Sequence, residues 1–321
     1  MKSTAILSLV AMSVSFFVMS PLAFSQGGEQ PIAAWLFDEG IGRLNRSATG
    51  MVKDSSGNGH DGEVVGSPKW RWGRYGTALQ FGLDPGDPNG TSWSFIRVAH
   101  HEDLSLREFT MTAWIKVKDI VPPLQSIVGK VVNVPPKGMD YTNYFMWISS
   151  RENVHGAFPP NGPGNLSCGF FISFPSDKGV WIERGTAAVT DDKWRFVACA
   201  YDPPWLIAYV DGKQVGKSEN KKNGLLGKPH TKHEMPVFIG ARPIQQLNRV
   251  DVAPGTPLDF EKGRDGLGGL IDEVALFASG LPEAEIKNLM ELGLSGKYGY
   301  RSVDLTGKLA TTWGKIKAKK M

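Results

Sequence analysis

Cysteine is scarce: Cys168 and Cys199 are the only two in 321 residues. Neither has another Cys or a His at metal-ligand spacing, which excludes a thiolate zinc site. Both lie in apolar runs, so one disulfide in an oxidising compartment and two buried thiols remain open alternatives. No Gly-x-Ser-x-Gly elbow occurs, and no Gly-rich loop leads into a helix, which removes the two commonest signatures of nucleophilic and phosphate chemistry. No internal repeat is present, which argues against a propeller. Beyond the N-terminus, no segment is apolar enough to cross a bilayer as a helix. Basic charge is equally localised. Lys297, Arg301, Lys308, Lys315, Lys317, Lys319 and Lys320 stand against Asp304 in residues 297–321, leaving the body of the chain slightly acidic although the total is +4. A basic nucleic-acid-binding body is therefore not indicated.

What is present begins with a leader. "MKSTAILSLVAMSVSFFVMSPLAFSQ" has an early Lys, an apolar run from Ala5 to Met19, Pro21, and small residues Ala23 and Ser25 at cleavage spacing. This reads as a secretory signal peptide over residues 1–25, with a membrane anchor as the alternative; the run is shorter than the roughly 20 residues a span needs. Residues 26–296 form one domain on this reading, and 297–321 a basic tail. The tail either is solvated chain or binds acidic surfaces.

From Pro31 to Phe277 the chain is a series of short β-branched and aromatic runs separated by Gly, Pro, Asn and Asp. In "FTMTAWIKV" the residues Met111, Ala113, Ile115 and Val117 take one face, and Thr110, Thr112, Trp114 and Lys116 the other. "LIAYVDGKQVGKS" predicts a hairpin, with Asp211-Gly212 as a type I′ turn. "LPEAEIKNLMELG" predicts one helix, with Glu283 and Glu285 early, Ile286, Leu289 and Met290 on one face, and Gly293 as its C-cap. The pattern is all-β: a two-sheet antiparallel sandwich of jelly-roll type with one short C-terminal helix. Long polar inserts at 83–91, 135–143, 152–166, 219–234 and 242–263 interrupt it.

One loop, "DSSGNGHDG" from Asp54 to Gly62, holds three glycines, oxygen-bearing side chains and a His, with no apolar residue. Gly57, Gly59 and Gly62 favour positive φ, and Asp and Asn bond their own backbone, so the segment is a structured turn.

Read in order, "AAWLFDEG", "DSSGNGHDGEVVG", "GTALQFG", "FTMTAWIKV", "TDDKWRFVACAYD", "LIAYVDGKQVGKS", "VFIGARP" and "GLIDEVALFASGLPEAEIKNLM" resemble concanavalin A-like, laminin-G-like jelly-roll domains of secreted bacterial proteins, over roughly residues 31–293. The resemblance implies a β-sandwich that often serves carbohydrate binding or adhesion and often carries calcium near a sheet edge. It does not imply catalysis.

Calcium takes six to eight hard oxygen ligands. Asp38, Asp54, Asn58, the carbonyl of His60 and Asp272 supply them if the first and last strands meet the loop, as the resemblance implies. The alternative is that Asp54 and Asn58 form Asx turns and Asp272 pairs with Arg97 or Arg242. Paired catalytic carboxylates are poorly served: Glu102-Asp103 and Asp272-Glu273 are adjacent, so on a strand they face opposite ways. His100-His101 and "HTKHE" are candidate transition-metal ligands, but loop histidines without a partner explain them as well. Among ten Trp, Trp35, Trp114 and Trp194 are expected in or beside the core, whereas Trp70, Trp72, Trp93, Trp181 and Trp205 are the candidate ligand-binding rings. The sequence reading is therefore a secreted, periplasmic or surface-bound module without catalysis, binding a glycan or cell-surface glycoprotein, with structural Ca2+. An adhesion module for proteins and a glycoside hydrolase or lyase are the rivals.

Overall fold

The structure is a computed structural model that describes residues 29–86, 92–118, 124–131, 142–149, 164–174, 179–182, 187–222, 225–232, 234–243 and 263–300. Residues 1–28, which include the expected leader, and residues 301–321 lie outside these, as do parts of every long insert, although most of 219–234 is described.

Two large antiparallel sheets stack face to face. Their strands are β1 (Ala33–Trp35), β2 (Met51–Val52), β3 (Gly62–Val65), β4 (Lys69–Trp72), β5 (Thr77–Phe81), β6 (Phe95–Val98) and β7 (Phe109–Val117). There follow β8 (Leu124–Gly129), β9 (Tyr144–Ser149), β10 (Asn165–Phe174), β11 (Gly179–Ile182), β12 (Trp194–Asp202), β13 (Trp205–Val210) and β14 (Lys213–Glu219). Strands Val237–Ile239 and Gly269–Phe277, with the short Lys228–Pro229 beside β10, complete them. The first sheet runs β14-β13-β12-β7-(Gly269–Phe277)-β5-β4, with β1 also on the last strand. The second runs β11-β10-β9-β8-(Val237–Ile239)-β6-β3-β2.

Period-two alternation assigns the faces. Met111, Ala113, Ile115 and Val117 enter the core between the sheets, with Trp35, Leu79, Ile96, Tyr144, Phe170 and Val197. Trp114 faces outward onto a second cluster with Phe196, Ala275 and Phe277. The helix Glu283–Tyr298 covers that outer face with Ile286, Leu289 and Leu294. Burying an aliphatic side chain is worth about 1.5–3 kcal/mol, so this layer holds the helix to the sheet. The helical span outlasts the expected cap: Gly293 breaks it with φ 67°, but it resumes to Tyr298 and ends at Gly299. Lys297 is thereby part of the helix, bonded to Glu285, and Tyr298 donates to the Glu29 carbonyl at 2.9 Å. At the β13–β14 turn Asp211 and Gly212 have φ of 49° and 71°, as a type I′ hairpin requires.

Cys168 of β10 and Cys199 of β12 form a disulfide that joins the two sheets through the core.

Candidate functional site

The Asp54 loop is held from within. Asp54 Oδ1 accepts the Ala34 N–H at 2.9 Å and the Ser56 N–H at 2.9 Å; its Oδ2 accepts Ser56 Oγ at 2.8 Å and the His60 N–H at 3.0 Å. Asn58 Nδ2 donates to the Ile32 carbonyl, and the His60 carbonyl accepts Trp35 Nε1 at 2.8 Å. Asp61 accepts the Asp54 N–H and pairs with Lys53. Protein donors and acceptors already engage the groups expected to bind calcium through this loop.

Asp38 and Asp272 gather elsewhere, around residues 75–77. The last strand pairs with β5 through Gly269–Ile271 and with β1 through Val274–Leu276. At the changeover its register against β7 shifts, and Glu273 takes φ 46°. A regular strand would point Asp272 and Glu273 to opposite faces; the bulge instead brings both beside Tyr75. Asp272 Oδ2 accepts the Tyr75 N–H and Asp38 Oδ1 the Thr77 N–H, each at 2.9 Å. Glu273 Oε2 accepts the Leu294 N–H where the helix resumes. Gly76 is required here, since a Cβ would lie 1.8 Å from Asp38 Oδ1 at φ +51°.

The cluster is buried and electrostatically loaded. Asp272 Oδ1, Glu273 Oε1 and the neighbouring Glu39 Oε2 have no hydrogen-bond partner. Burial pushes the Asp272 carboxyl well above its ordinary value, against the pull of the Tyr75 N–H, with the charges of Glu273 and Asp38 adding to the rise. Burial likewise pushes Glu273 up to about 7 and raises Asp38 and Glu39. Hard oxygen donors with unpartnered buried atoms fit a hard cation chemically. They are not gathered as tightly as a third set of residues, however.

That set is His60, His101 and Asp103, whose ligand atoms lie within 4.8 Å of one another, a possible metal-binding trio. No other trio of His, Cys, Asp or Glu among the described residues does so. Asp103 sits on a 3-10 turn, Glu102–Leu104, rather than on a strand. Nearby His100 is turned away, its Nδ1 2.9 Å from Lys130 Nζ. The expected arginine partners of Asp272 are engaged elsewhere: Arg97 pairs with Glu63 and Arg242 with Asp265.

The Trp candidates divide by burial. Trp70 is 3% exposed, its ring pressed on Gly40, and Trp93 is 8% exposed against Gly266. Both are packing residues: Trp70 enters the core from β4, and Trp93, held in isolated bridges to Leu83 and Gly263 just before β6, lies beneath neighbouring chain. Trp72 stands 69% exposed on edge strand β4. Trp205 is 38% exposed, with Lys217 Nζ 3.9 Å over its ring. Trp181 lies on β11, and its side chain is outside the described residues.

A shallow surface depression lies on the outer face of the second sheet. Trp147 and Phe145 of β9 stack there at 3.8 Å, opposite Ser126 of β8. Phe238, Ala241 and Arg242 form another wall, and Arg242 is fixed by its buried pair with Asp265. Trp147 is not among the ring candidates drawn from the sequence, although it lies within the strand Tyr144–Ser149. Alternation with the inward Tyr144, Met146 and Ile148 was the available signal.

Two large stacked antiparallel sheets, one covered by a single C-terminal helix, define a concanavalin A-like sandwich. The chain belongs to the concanavalin A-like lectin/glucanases superfamily, whose laminin-G profile matches residues 89–287. No curated protein matches it in sequence. Among solved structures it is similar to domain 4 of AbnA, a GH43 extracellular arabinanase from Geobacillus stearothermophilus, in complex with arabinotriose. Identity is 18%, coverage 82% of this chain and 98% of that one, and TM-score 0.49. It is also similar to the binding domain of Paraclostridial Mosquitocidal Protein 1, at 17% identity, 76% and 52% coverage and TM-score 0.47. A third likeness is to the botulinum neurotoxin DC binding domain in complex with SialylT, at 14% identity, 82% and 51% coverage and TM-score 0.49. The chain thus spans about half the length of the two toxin binding domains. At these identities and scores the likenesses carry no argument about function.

Proposed function

We propose that the protein is an exported, non-catalytic module that binds a glycan or glycoconjugate on the outer face of the second sheet, against Trp147. The observation that carries this reading is the half-buried Trp147 ring, backed by the buried Phe145 and set beside Ser126 and the Arg242–Asp265 pair. A pyranose presents an apolar face that stacks on an aromatic ring, while its hydroxyls need a few fixed polar groups at the margin. Membership of a lectin and glucanase superfamily is consistent with such a ligand. The reading is non-catalytic because the adjacent carboxylates Asp272 and Glu273 lie buried beside the helix, where a polysaccharide does not reach them. Export is supported by the Cys168–Cys199 bridge, since disulfides persist in oxidising compartments.

Calcium belongs to the same proposal, at Asp38, Asp272 and Glu273 rather than in the Asp54 loop. Unpartnered buried oxygens on Asp272 and Glu273 support that place. Bound there, the ion supplies positive charge where the buried Asp272 and Glu273 and the half-buried Asp38 repel one another.

Glycan-array binding with wild type and Trp147→Ala tests the main reading. The variant is expected to lose about tenfold or more in affinity, about 1.4 kcal/mol. Retained glycan affinity in Trp147→Ala, binding only to a protein partner, or turnover of a polysaccharide overturns it.

A further inference from the structure

The His60–His101–Asp103 trio is separate from the Trp147 depression and from the carboxylate cluster, and its donor chemistry differs from both. It offers two imidazole nitrogens and one carboxylate. Calcium prefers an all-oxygen shell, whereas imidazole with carboxylate suits zinc and its neighbours. We propose that these three side chains form a binding site for a divalent transition ion of the zinc class.

The geometry is organised in advance. The His60 ring is buried, and its main chain is fixed on both sides, the N–H on Asp54 Oδ2 and the carbonyl under the Trp35 indole. Asp103 holds both rings at once: its Oδ2 is 3.1 Å from His60 Nε2 and its Oδ1 2.6 Å from His101 Nδ1. The two nitrogens therefore converge on one carboxylate, with ring centroids 5.1 Å apart. His101 and Asp103 are 64% and 42% exposed at the side chain, which gives an ion a path from solvent. Three protein ligands leave a fourth tetrahedral position for water or an incoming donor.

The trio joins parts of the chain far apart in sequence. His60 lies in the loop between β2 and β3, and His101 and Asp103 lie in the connection between β6 and β7. An ion here clamps that connection to the loop. The hydrogen bonds on Asp54 and Trp35 are its supporting layer, positioning the buried imidazole for the two exposed ligands.

The test is calorimetric titration of Zn2+ into the purified, metal-stripped protein, alongside His101→Gln, Asp103→Asn and His100→Gln. One ion per chain is expected in wild type and His100→Gln, with affinity reduced by at least about 10-fold in His101→Gln and Asp103→Asn. His101 and Asp103 are exposed, so thermal melts of the stripped variants should match wild type and separate ligand loss from unfolding. Cobalt-loaded wild type should show the visible absorption of a tetrahedral centre, absent from both ligand variants. No zinc uptake overturns the proposal, as does uptake unchanged in His101→Gln and Asp103→Asn, or equally weakened by His100→Gln. Glu273→Gln leaves zinc uptake unchanged, which keeps this outcome distinct from that of the calcium reading.

Discussion

Trp35 Nε1 donates to the carbonyl of His60 at 2.8 Å, tying the first strand to the Gly-rich loop across 25 residues of sequence. Asp54 completes the tie by accepting the N–H groups of both Ala34 and His60. The loop is therefore a hydrogen-bonded clasp on β1, and its acid is an internal acceptor. Asp54→Ala leaves several donors without partners and should lower stability by roughly 2–4 kcal/mol. Urea denaturation measures this, and added calcium should stabilise the variant by as much as it stabilises wild type.

On the proposed calcium reading, the buried cluster should answer differently from the loop. An ion bound only to the folded state stabilises it by about 2.7 kcal/mol at a hundredfold excess over Kd. Wild type should melt higher in calcium than in chelator, and Glu273→Gln should lose most of that gain. A calcium response surviving in Glu273→Gln but lost in Asp54→Ala would return the ion to the loop.

Lys130 is fully buried, with Nζ 3.0 Å from Ser105 Oγ as well as near His100. Burial pulls its ammonium down to about 8, with the charge of Asp103 opposing. In the unfolded chain a lysine titrates near 10.4, so between about pH 8 and pH 10.4 the unfolded state holds more protons. Folding is penalised in full below about pH 8 and relieved as pH rises through that window, by up to roughly 3 kcal/mol. Lys130→Met lacks this relief. The stability of wild type relative to Lys130→Met, from urea unfolding in metal-free buffer, should therefore rise between about pH 7 and about pH 10. A flat difference counts against the buried charge.

The Cys168–Cys199 bridge links positions 31 residues apart. A loop of that length is worth about 3–4 kcal/mol in the chain-entropy account. Replacing both cysteines with alanine should lower the unfolding free energy by about that amount, and reducing agent should have the same effect on wild type but none on the variant.

Much of this architecture follows from local patterning. Alternation in "FTMTAWIKV" assigned Met111, Ala113, Ile115 and Val117 to one face, and they are core. Asp211-Gly212 specified its turn because few other pairs tolerate positive φ at both positions. The helix was legible in type, but its end was not. The chain continues past Gly293 because Glu273 supplies a carboxylate to the Leu294 N–H, a long-range bond that local pattern does not record.

The sites were less legible. Asp38 and Asp272 were expected to converge on the Asp54 loop; they bond Tyr75 and Thr77 instead, with Glu273 as companion, placed by a bulge where the neighbouring strand changes. His60 and Asp103 are 43 positions apart and share no spacing rule. Sequence by itself determined most of the strands, though not β2 or β4, together with the hairpin turn, the all-β class and the polar character of the Asp54 loop, because those depend on backbone preference and period. Only the tertiary structure decided that the loop's carboxylate faces its own backbone, that Trp70 and Trp93 are packed while Trp147 lines a surface depression, and that two histidines share one aspartate. Those outcomes depend on which strands lie side by side, and pairing across the sheets is set by the packing of the whole chain.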